Sequence, residues 1–184
     1  VKNVGEYTAT LNLGKVNGES EAEVSAILNF TITEKDLSGA VTVEPIGDYV
    51  YTGEGIEPVV DVKYGGKSLT LGTDYTVSYT NNTNVGTAIA TIEFMGNYTG
   101  AITTDFKIVP KEITPILQQL SSEYNGSAHT PSVDFDNLCG NETLVKDTDY
   151  TISYSDDTTN VGDVTVTVKL LDTSKAKNYT FAEN

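Results

Sequence analysis

The 184-residue sequence contains no arginine and no tryptophan, and it has only one cysteine and one histidine. The missing arginine removes the side chain that best holds phosphate and carboxylate groups through paired hydrogen bonds. With 26 acidic residues against 11 basic ones, the net charge of −15 repels nucleic acid and anionic lipid. These features argue against nucleic-acid binding and favour a protein that stays soluble at high local concentration.

The scarcity of cysteine also limits disulfide and metal chemistry. Cys139 has no partner for an internal disulfide, and one cysteine with one histidine cannot build a zinc site. No stretch approaches the roughly 18 apolar residues of a membrane span, and no signal segment opens the chain. If the protein is exported, we expect its signal and its anchor to lie outside these 184 residues.

What the sequence does contain is internal repetition. Residues 74–86 read DYTVSYTNNTNVG, and residues 149–162 read DYTISYSDDTTNVG. The triplet Asn-Val-Gly begins at Asn3, Asn84 and Asn160. Other landmarks recur in the same order: Phe30-Thr31-Ile32 with Phe106-Lys107-Ile108, Tyr51-Thr52-Gly53 with Tyr124-Asn125-Gly126, Pro58 with Pro131, and Asn97-Tyr98-Thr99 with Asn178-Tyr179-Thr180.

This order divides the chain into three parts. We interpret the first part (1–37) as the C-terminal half of a repeat module and the second part (38–109) as a complete module. The third part (110–184) is interpreted as a second module that lacks its last strand, the counterpart of Phe106-Lys107-Ile108. The repeated phrase then serves as scaffolding, a strand and a tight turn that each module needs.

Side chains with a period of two support strands that bury one face. The inward rows predicted after each Asn-Val-Gly are Tyr7, Ala9, Leu11 and Leu13, then Ala88, Ala90, Ile92 and Phe94, then Val164, Val166, Val168 and Leu170. A further pair of rows is Ala26, Leu28, Phe30 and Ile32 with its counterpart Ile102, Thr104, Phe106 and Ile108. Gly86 and Gly162 suit the turns, and Gly65-Gly66 predicts a hairpin.

The pattern predicts an all-β fold of tandem small Ig-like β-sandwich modules in an elongated array, with about seven strands per module. Residues 114–124 are interpreted as an entry strand and not as a helix, because they align with the β-branched stretch VTVEPIGDYVY. A β-grasp-like module is the structural alternative, and it requires a helix that the sequence does not show.

The motifs YTG, LGTDYTVSYTNNTNVG, MGNYTG and DFKIVPKEI resemble tandem Ig-like repeat modules, of the MBG and related types, found in large bacterial cell-surface proteins. The resemblance covers essentially the whole chain. It implies an extracellular, wall-attached or adhesin-like protein whose modules act as stalks or contact surfaces. The family pattern includes no catalytic residues, so the resemblance implies none here and no cofactor.

Candidate sites remain few. His129 is the only imidazole base, but it aligns with Ile56, so we expect a packed or surface side chain and not a catalytic triad. Cys139 has no basic neighbour, which predicts an unreactive loop thiol. Four acidic residues of the third part could converge on calcium, although asparagines stand at two of these positions in the second part. They are Asp147, Asp149, Asp156 and Asp157.

Two function classes follow from these patterns. The first is a non-catalytic stalk or spacer of a bacterial surface or secreted protein, in contact with neighbouring modules. The second is a binding module for a glycan or host protein, for which exposed tyrosines would be needed; eight of the eleven tyrosines fall at repeated positions. An enzyme is the remote third class. The spare strand of the first part also predicts weak strand-complemented association between molecules, as the alternative to a monomer.

Overall fold

The computed structural model describes residues 3–13, 24–155 and 157–182. In these ranges the chain is all-β, as predicted, and it holds no α-helix. The strands of residues 3–109 are β1 (Gly5–Leu13), β2 (Val24–Ile32), β3 (Lys35–Asp36), β4 (Val41–Val43), β5 (Tyr49–Val50), β6 (Val62–Tyr64), β7 (Lys67–Ser68), β8 (Tyr75–Thr80), β9 (Gly86–Phe94), β10 (Tyr98–Thr99) and β11 (Ala101–Val109). The remaining elements are β12 (Lys111–Leu117), β13 (Val133–Asp136), β14 (Tyr150–Tyr154), β15 (Val166–Leu170), a short 3-10 helix (Ala176–Asn178) and β16 (Tyr179–Phe181).

The described strands pair in several small sheets. Their orders are β1-β2, β10-β3, β4-β6-β7, β5-β11-β9-β8, β13-β12-β16 and β14-β15. Two short parallel pairings recur in equivalent places: β3 runs beside β10, with Lys35 opposite Tyr98, and β12 runs beside β16, with Lys111 opposite Tyr179. The two Asn-Tyr-Thr landmarks therefore occupy matching positions in these two pairings.

The predicted alternation is confirmed most clearly in β9. Ala88, Ala90 and Ile92 are fully buried, and β11 buries Phe106 and Ile108 in the same way. Burial of such rows is the main source of stability, at about 1.5–3 kcal/mol for each large side chain.

The corresponding rows of the first part differ from the prediction. The strands β1 and β2 pair antiparallel over their whole length, with Gly5 opposite Ile32. Yet Leu28 is 58% exposed, Phe30 is 44% exposed and Leu11 is also exposed. A two-stranded hairpin covers neither of its faces, so its alternating apolar row becomes buried only where a second layer packs against it.

The turn between β6 and β7 is formed by two glycines with positive φ. Gly65 and Gly66 have φ of 57° and 77°, and they join β6 to β7 with Tyr64 opposite Lys67. Positive φ at both central residues is the geometry of a tight two-residue hairpin, so the predicted hairpin is confirmed. The predicted entry strand at 114–124 is shorter than expected, because β12 ends at Leu117.

Two tyrosines in each copy of the repeated phrase bond to the same backbone positions. Tyr75 donates its hydroxyl hydrogen to the carbonyl of Val60 at 2.7 Å, and Tyr150 contacts the carbonyl of Val133 at 3.5 Å. In the same manner, Tyr79 bonds to the Pro58 carbonyl and Tyr154 bonds to the Pro131 carbonyl. The side chains of the repeated phrase thus hold their own strand against the segment that begins at the repeated proline.

The chain forms two compact units, each built from several separate segments of the sequence. The first contains residues 3–13, 24–44, 59–78 and 90–104, and the second contains 45–58, 79–89 and the described residues from 105 onward. A buried cluster fills the second unit: Tyr51, Ile56, Ala88, Phe106, Ile108, Ile113, Cys139 and Tyr179. This cluster takes residues from both the second and the third part of the sequence, so the contacts of the core cross the boundary at residue 110 that we drew from the repeats.

Candidate functional sites

The acidic residues proposed for calcium have other partners where they are described. Asp149 is 4% exposed, and its carboxylate accepts hydrogen bonds from the Val145 amide at 3.0 Å and the Thr173 hydroxyl at 2.9 Å. The Lys175 ammonium lies 4.0 Å from the same carboxylate. A buried carboxylate held by two donors and a cation is typical of a turn-stabilising side chain.

The two other acidic residues that the structure describes, Asp147 and Asp157, do not complete a site around it. Asp147 occupies an exposed turn position with φ of 63°. Asp157 accepts the Thr159 amide at 2.8 Å and the Asn160 side chain at 2.6 Å, and the Thr159 amide lowers the pKa of Asp157. Asp156 lies outside the described residues. The described part of the chain shows no group of three or more His, Cys, Asp or Glu that could hold a metal ion.

His129 occupies the position that its alignment with Ile56 predicts. The Ile56 amide donates to the Asn82 carbonyl at 2.8 Å, and the His129 amide donates to the Thr158 carbonyl at 3.0 Å. The imidazole is partly buried, and its Nε2 lies 3.1 Å from the side-chain oxygen of Asn125. The backbone of this histidine therefore repeats a structural role, and its ring contacts an amide.

Cys139 is a free thiol in a loop, as predicted, and it is buried. It is 4% exposed, and it belongs to a buried cluster with Tyr51 and Tyr179. The Glu142 carboxylate accepts the hydroxyl of Tyr51 at 2.6 Å and the hydroxyl of Tyr179 at 2.7 Å. The Cys139 amide donates to the Tyr179 hydroxyl at 3.1 Å, and the two tyrosine rings pack edge to face with centroids 5.5 Å apart.

This arrangement keeps both phenols protonated at neutral pH. Burial, reinforced by the Glu142 carboxylate, raises the pKa of Tyr51 to about 12. Burial also raises the pKa of Tyr179. Neither phenol can serve as a proton acceptor near pH 7, and both hydroxyls are held in hydrogen bonds to the Glu142 carboxylate.

A second feature links the Asn-Val-Gly turns to distant asparagines. The Val4 amide donates to the side-chain oxygen of Asn97 at 2.9 Å. The Val85 amide donates to the side-chain oxygen of Asn178, again at 2.9 Å, and both pairs are separated by 93 residues. Asn178 is 3% exposed, and its amide nitrogen also donates to the Asn84 side chain at 3.0 Å. The turn of one part is thus bound by the Asn-Tyr-Thr segment of the part that follows it.

The third Asn-Val-Gly turn has no such contact among the described residues. Val161 is 88% exposed, and the Asn160 side chain donates to Asp157. Beside this turn lies a groove of about 320 Å³. Its apolar walls are formed by Leu117, Leu120, Tyr124, Tyr154, Val164 and Val166.

Tyrosine exposure bears on ligand binding. Tyr51, Tyr75, Tyr150 and Tyr179 are buried, as the repeat positions lead us to expect. Tyr124 differs, because it is 64% exposed although it occupies a repeated position. An exposed aromatic ring at the edge of a groove is the kind of surface on which a sugar ring can stack.

Three features escaped the sequence reasoning. Glu142 carries no motif, and its role arises only because the fold brings two tyrosines to it. Asn97 and Asn178 were recognised as repeated landmarks but not as connectors. The signal was present, since the distances from Val4 to Asn97 and from Val85 to Asn178 along the chain are identical.

Among the described residues no helix is long and apolar enough to cross a membrane. Comparison of the chain with known proteins finds no matching family model, no matching curated protein and no matching solved structure.

Proposed function

We propose that this chain is a non-catalytic spacer segment of a bacterial cell-surface or secreted adhesin-like protein, built of tandem small Ig-like β-sandwich modules in an elongated array. The observation that supports it best is the repeated turn contact, Val4 with Asn97 and Val85 with Asn178, at one distance and one chain separation. A contact used twice in the same way is a property of a serial assembly, whereas a unique ligand site has no reason to recur.

The physical need for such a contact follows from module size. A module of about 75 residues buries only around 60% of the surface that its unfolded chain exposes, so its own stability is marginal. The single cysteine of this chain supplies no internal disulfide. Hydrogen bonds and shared core residues between successive modules add nearest-neighbour stability, which makes neighbouring modules of the same protein its principal partners.

The remaining properties agree with display outside the cell. A net charge of −15 keeps closely spaced copies apart and soluble. The Glu142 carboxylate and the hydroxyls of Tyr51 and Tyr179 are occupied by structural hydrogen bonds. We therefore assign the chain no catalytic role and no cofactor.

Small-angle X-ray scattering of the 184-residue chain tests the spacer function. A compact globule of this length has a radius of gyration of about 16 Å. An elongated array predicts a clearly larger value and a distance distribution with a long tail, at a mass equal to that of the monomer. A radius of gyration close to 16 Å would contradict the proposal.

A binding module for a glycan or host protein is the second candidate function. The exposed ring of Tyr124 beside the groove favours it, because the tyrosines buried at the other repeated positions offer no such surface. A glycan and protein array separates the two functions. Saturable binding that is lost in Tyr124→Ala but kept in Tyr64→Ala, whose ring packs against Tyr98 and does not line the groove, would favour the binding module.

A further inference from the structure

The groove beside the third Asn-Val-Gly turn corresponds to a place that is filled in the second part of the chain. There, β11 runs parallel to β5, with Ile108 opposite Tyr49 and Val109 opposite Val50. The Tyr51 amide donates to the Val109 carbonyl at 2.9 Å, and Tyr51 itself is 4% exposed. A strand at this place therefore binds the backbone of the tyrosine in the Tyr-x-Gly turn, while the Tyr51 ring packs against Tyr179 and its hydroxyl donates to Glu142.

The third part has the same walls without the strand. Tyr124 is the counterpart of Tyr51, and Gly126 has φ of 76°, close to the 82° of Gly53. Yet Tyr124 is 64% exposed, and its amide has no hydrogen-bond partner among the described residues. Residues 122–123, which match β5, are not in a strand.

The opposite wall shows the same effect. The strand β9 begins at Gly86, directly after its turn, whereas β15 begins only at Val166, four residues after the matching Gly162. Residues 163–165 have the alternating pattern of a strand but lie outside one, and among the described residues only Thr165 of these three is bound to the neighbouring segment, through Ser155. Both walls thus lose strand structure where β11 pairs in the second part, and each keeps unpaired backbone groups.

A strand suited to this groove exists in the first part of the chain. The strand β2 is the sequence counterpart of β11, with Phe30-Thr31-Ile32 matching Phe106-Lys107-Ile108. It pairs only with β1 among the described residues, and its Leu28 and Phe30 are exposed. Exposed apolar rows of this kind are unusual on a monomer and are typical of surfaces that bind a partner.

We propose that the groove between residues 117–124 and 158–166 accepts strand β2 of a second copy of this chain. The inserted strand takes the register of β11, with Ile32 opposite Ser122, parallel to residues 122–123 and antiparallel to residues 163–170. The Tyr124 amide then donates to the Thr33 carbonyl, as the Tyr51 amide donates to Val109.

The exchange is favourable because β2 replaces one antiparallel neighbour by an equivalent one and gains a second. In the free chain β2 pairs with β1, which is the counterpart of β9. In the groove it pairs with residues 163–170, the third-part counterpart of β9, and also with residues 122–123. Its apolar row, Leu28 and Phe30 above all, leaves water at the same time.

Such an interface is heterologous, since the groove and the strand are different surfaces of the molecule. It does not close on itself after two copies, so association continues from molecule to molecule. This inference rests on the repeat equivalence used in the proposed function, but a spacer can act as a monomer, so the two can fail separately.

Sedimentation velocity across a hundredfold range of concentration tests the association. We expect the weight-average mass to rise at least twofold for the intact chain. Phe30→Asp places a charge on the inserted row and should keep the chain monomeric, whereas Thr31→Asp, on the opposite face of the same strand, is the matched control. A mass that stays at the monomer throughout would overturn the strand exchange, and elongated scattering at that mass would leave the spacer function standing.

Disulfide trapping then tests the register. Chains carrying Ile32→Cys are mixed with chains carrying Ser122→Cys, and oxidised heterodimers are counted by mass. Thr31→Cys replaces Ile32→Cys as the control, because its side chain points to the other face, and we expect about tenfold less cross-link from it. Equal yields from the two pairs would overturn the proposed register.

A synthetic peptide of residues 101–109 serves as a competing strand. It should bind the groove, protect the Tyr124 amide from hydrogen exchange and return the associated chain to monomers. If the peptide binds while the chain alone shows no association, the groove accepts a strand from another source. The proposal that a second copy of this chain occupies the groove would then be wrong.

Discussion

The side chain of Asn178 offers a sharp test of the contact between parts. Its oxygen accepts the Val85 amide at 2.9 Å, and its nitrogen donates to Asn84 at 3.0 Å, in a position that is 3% exposed. The substitution Asn178→Ala removes both bonds. It also leaves the partly buried Val85 amide without an acceptor, which is more costly than the loss of a hydrogen bond alone.

The magnitude follows from these two losses. An unsatisfied buried amide costs about 1–3 kcal/mol, and the bond between two side-chain amides contributes about 0.5–1.5 kcal/mol. We therefore expect a fall of about 2–4 kcal/mol in the free energy of unfolding, a large part of the ~5–15 kcal/mol that holds a domain folded. The counterpart Asn97→Ala should cost less, about 1–2 kcal/mol, because it also leaves a partly buried valine amide without an acceptor but breaks only this one bond.

Amide hydrogen exchange measured by NMR reports on the contact directly. In Asn178→Ala, the Val85 amide should exchange roughly thirtyfold faster or more, since each 1.4 kcal/mol corresponds to a factor of ten. Asn97→Ala should speed the exchange of Val4 and leave Val85 unchanged. If Val85 keeps its protection in Asn178→Ala, or if Asn97→Ala destabilises the chain equally, the assigned role of Asn178 is wrong.

Three further predictions concern the described side chains and glycines. The pKa of Tyr51 is raised to about 12, so its contribution to the free energy of unfolding should be fully present below about pH 10 and should be lost as the pH rises from 10 towards 12. Phenolate absorbance measures this titration, and Glu142→Gln should lower the pKa of Tyr51. Gly96→Ala should destabilise by at least about 1 kcal/mol more than Gly65→Ala in urea, because a Cβ at Gly96 would lie 2.8 Å from a backbone oxygen and Gly65 faces open space. Calcium and chelator should give the same melting curve, since the carboxylate of Asp149 is already held by protein donors, and a higher melting temperature with calcium would restore the metal hypothesis.

The part of the fold that depends on local pattern could be predicted from the sequence. Ala88, Ala90 and Ile92 are buried because alternation decides which face of a strand is apolar, and that face found a second layer. The Gly65-Gly66 hairpin is likewise local, since two residues with positive φ are enough to specify it.

The rest depends on which segments meet. Leu28 and Phe30 have the same alternation as β11 but remain exposed, because their hairpin has no second layer in the described chain. Cys139 lies in a loop, as its sequence predicts, but its burial depends on packing against Tyr51 and Tyr179, which are distant in the sequence. A pattern within ten residues cannot show that Glu142 will lie between those tyrosines.

The Asn-Val-Gly turn depends both on its local sequence and on the distant segment that it contacts. Its sequence specifies a chain reversal, and on that ground alone the triplet could be dismissed as scaffolding. In the structure the same turn presents the amide of its valine to an asparagine 93 residues later, first at Val4 and again at Val85. A residue set that forms a turn and binds the following part is under two physical demands at once, which explains why the triplet recurs unchanged while the loops around it differ.

The third triplet meets only the first demand among the described residues, and there Val161 and the neighbouring groove stay exposed to solvent. Its surroundings are therefore the part of the molecule where an added strand has the most to stabilise.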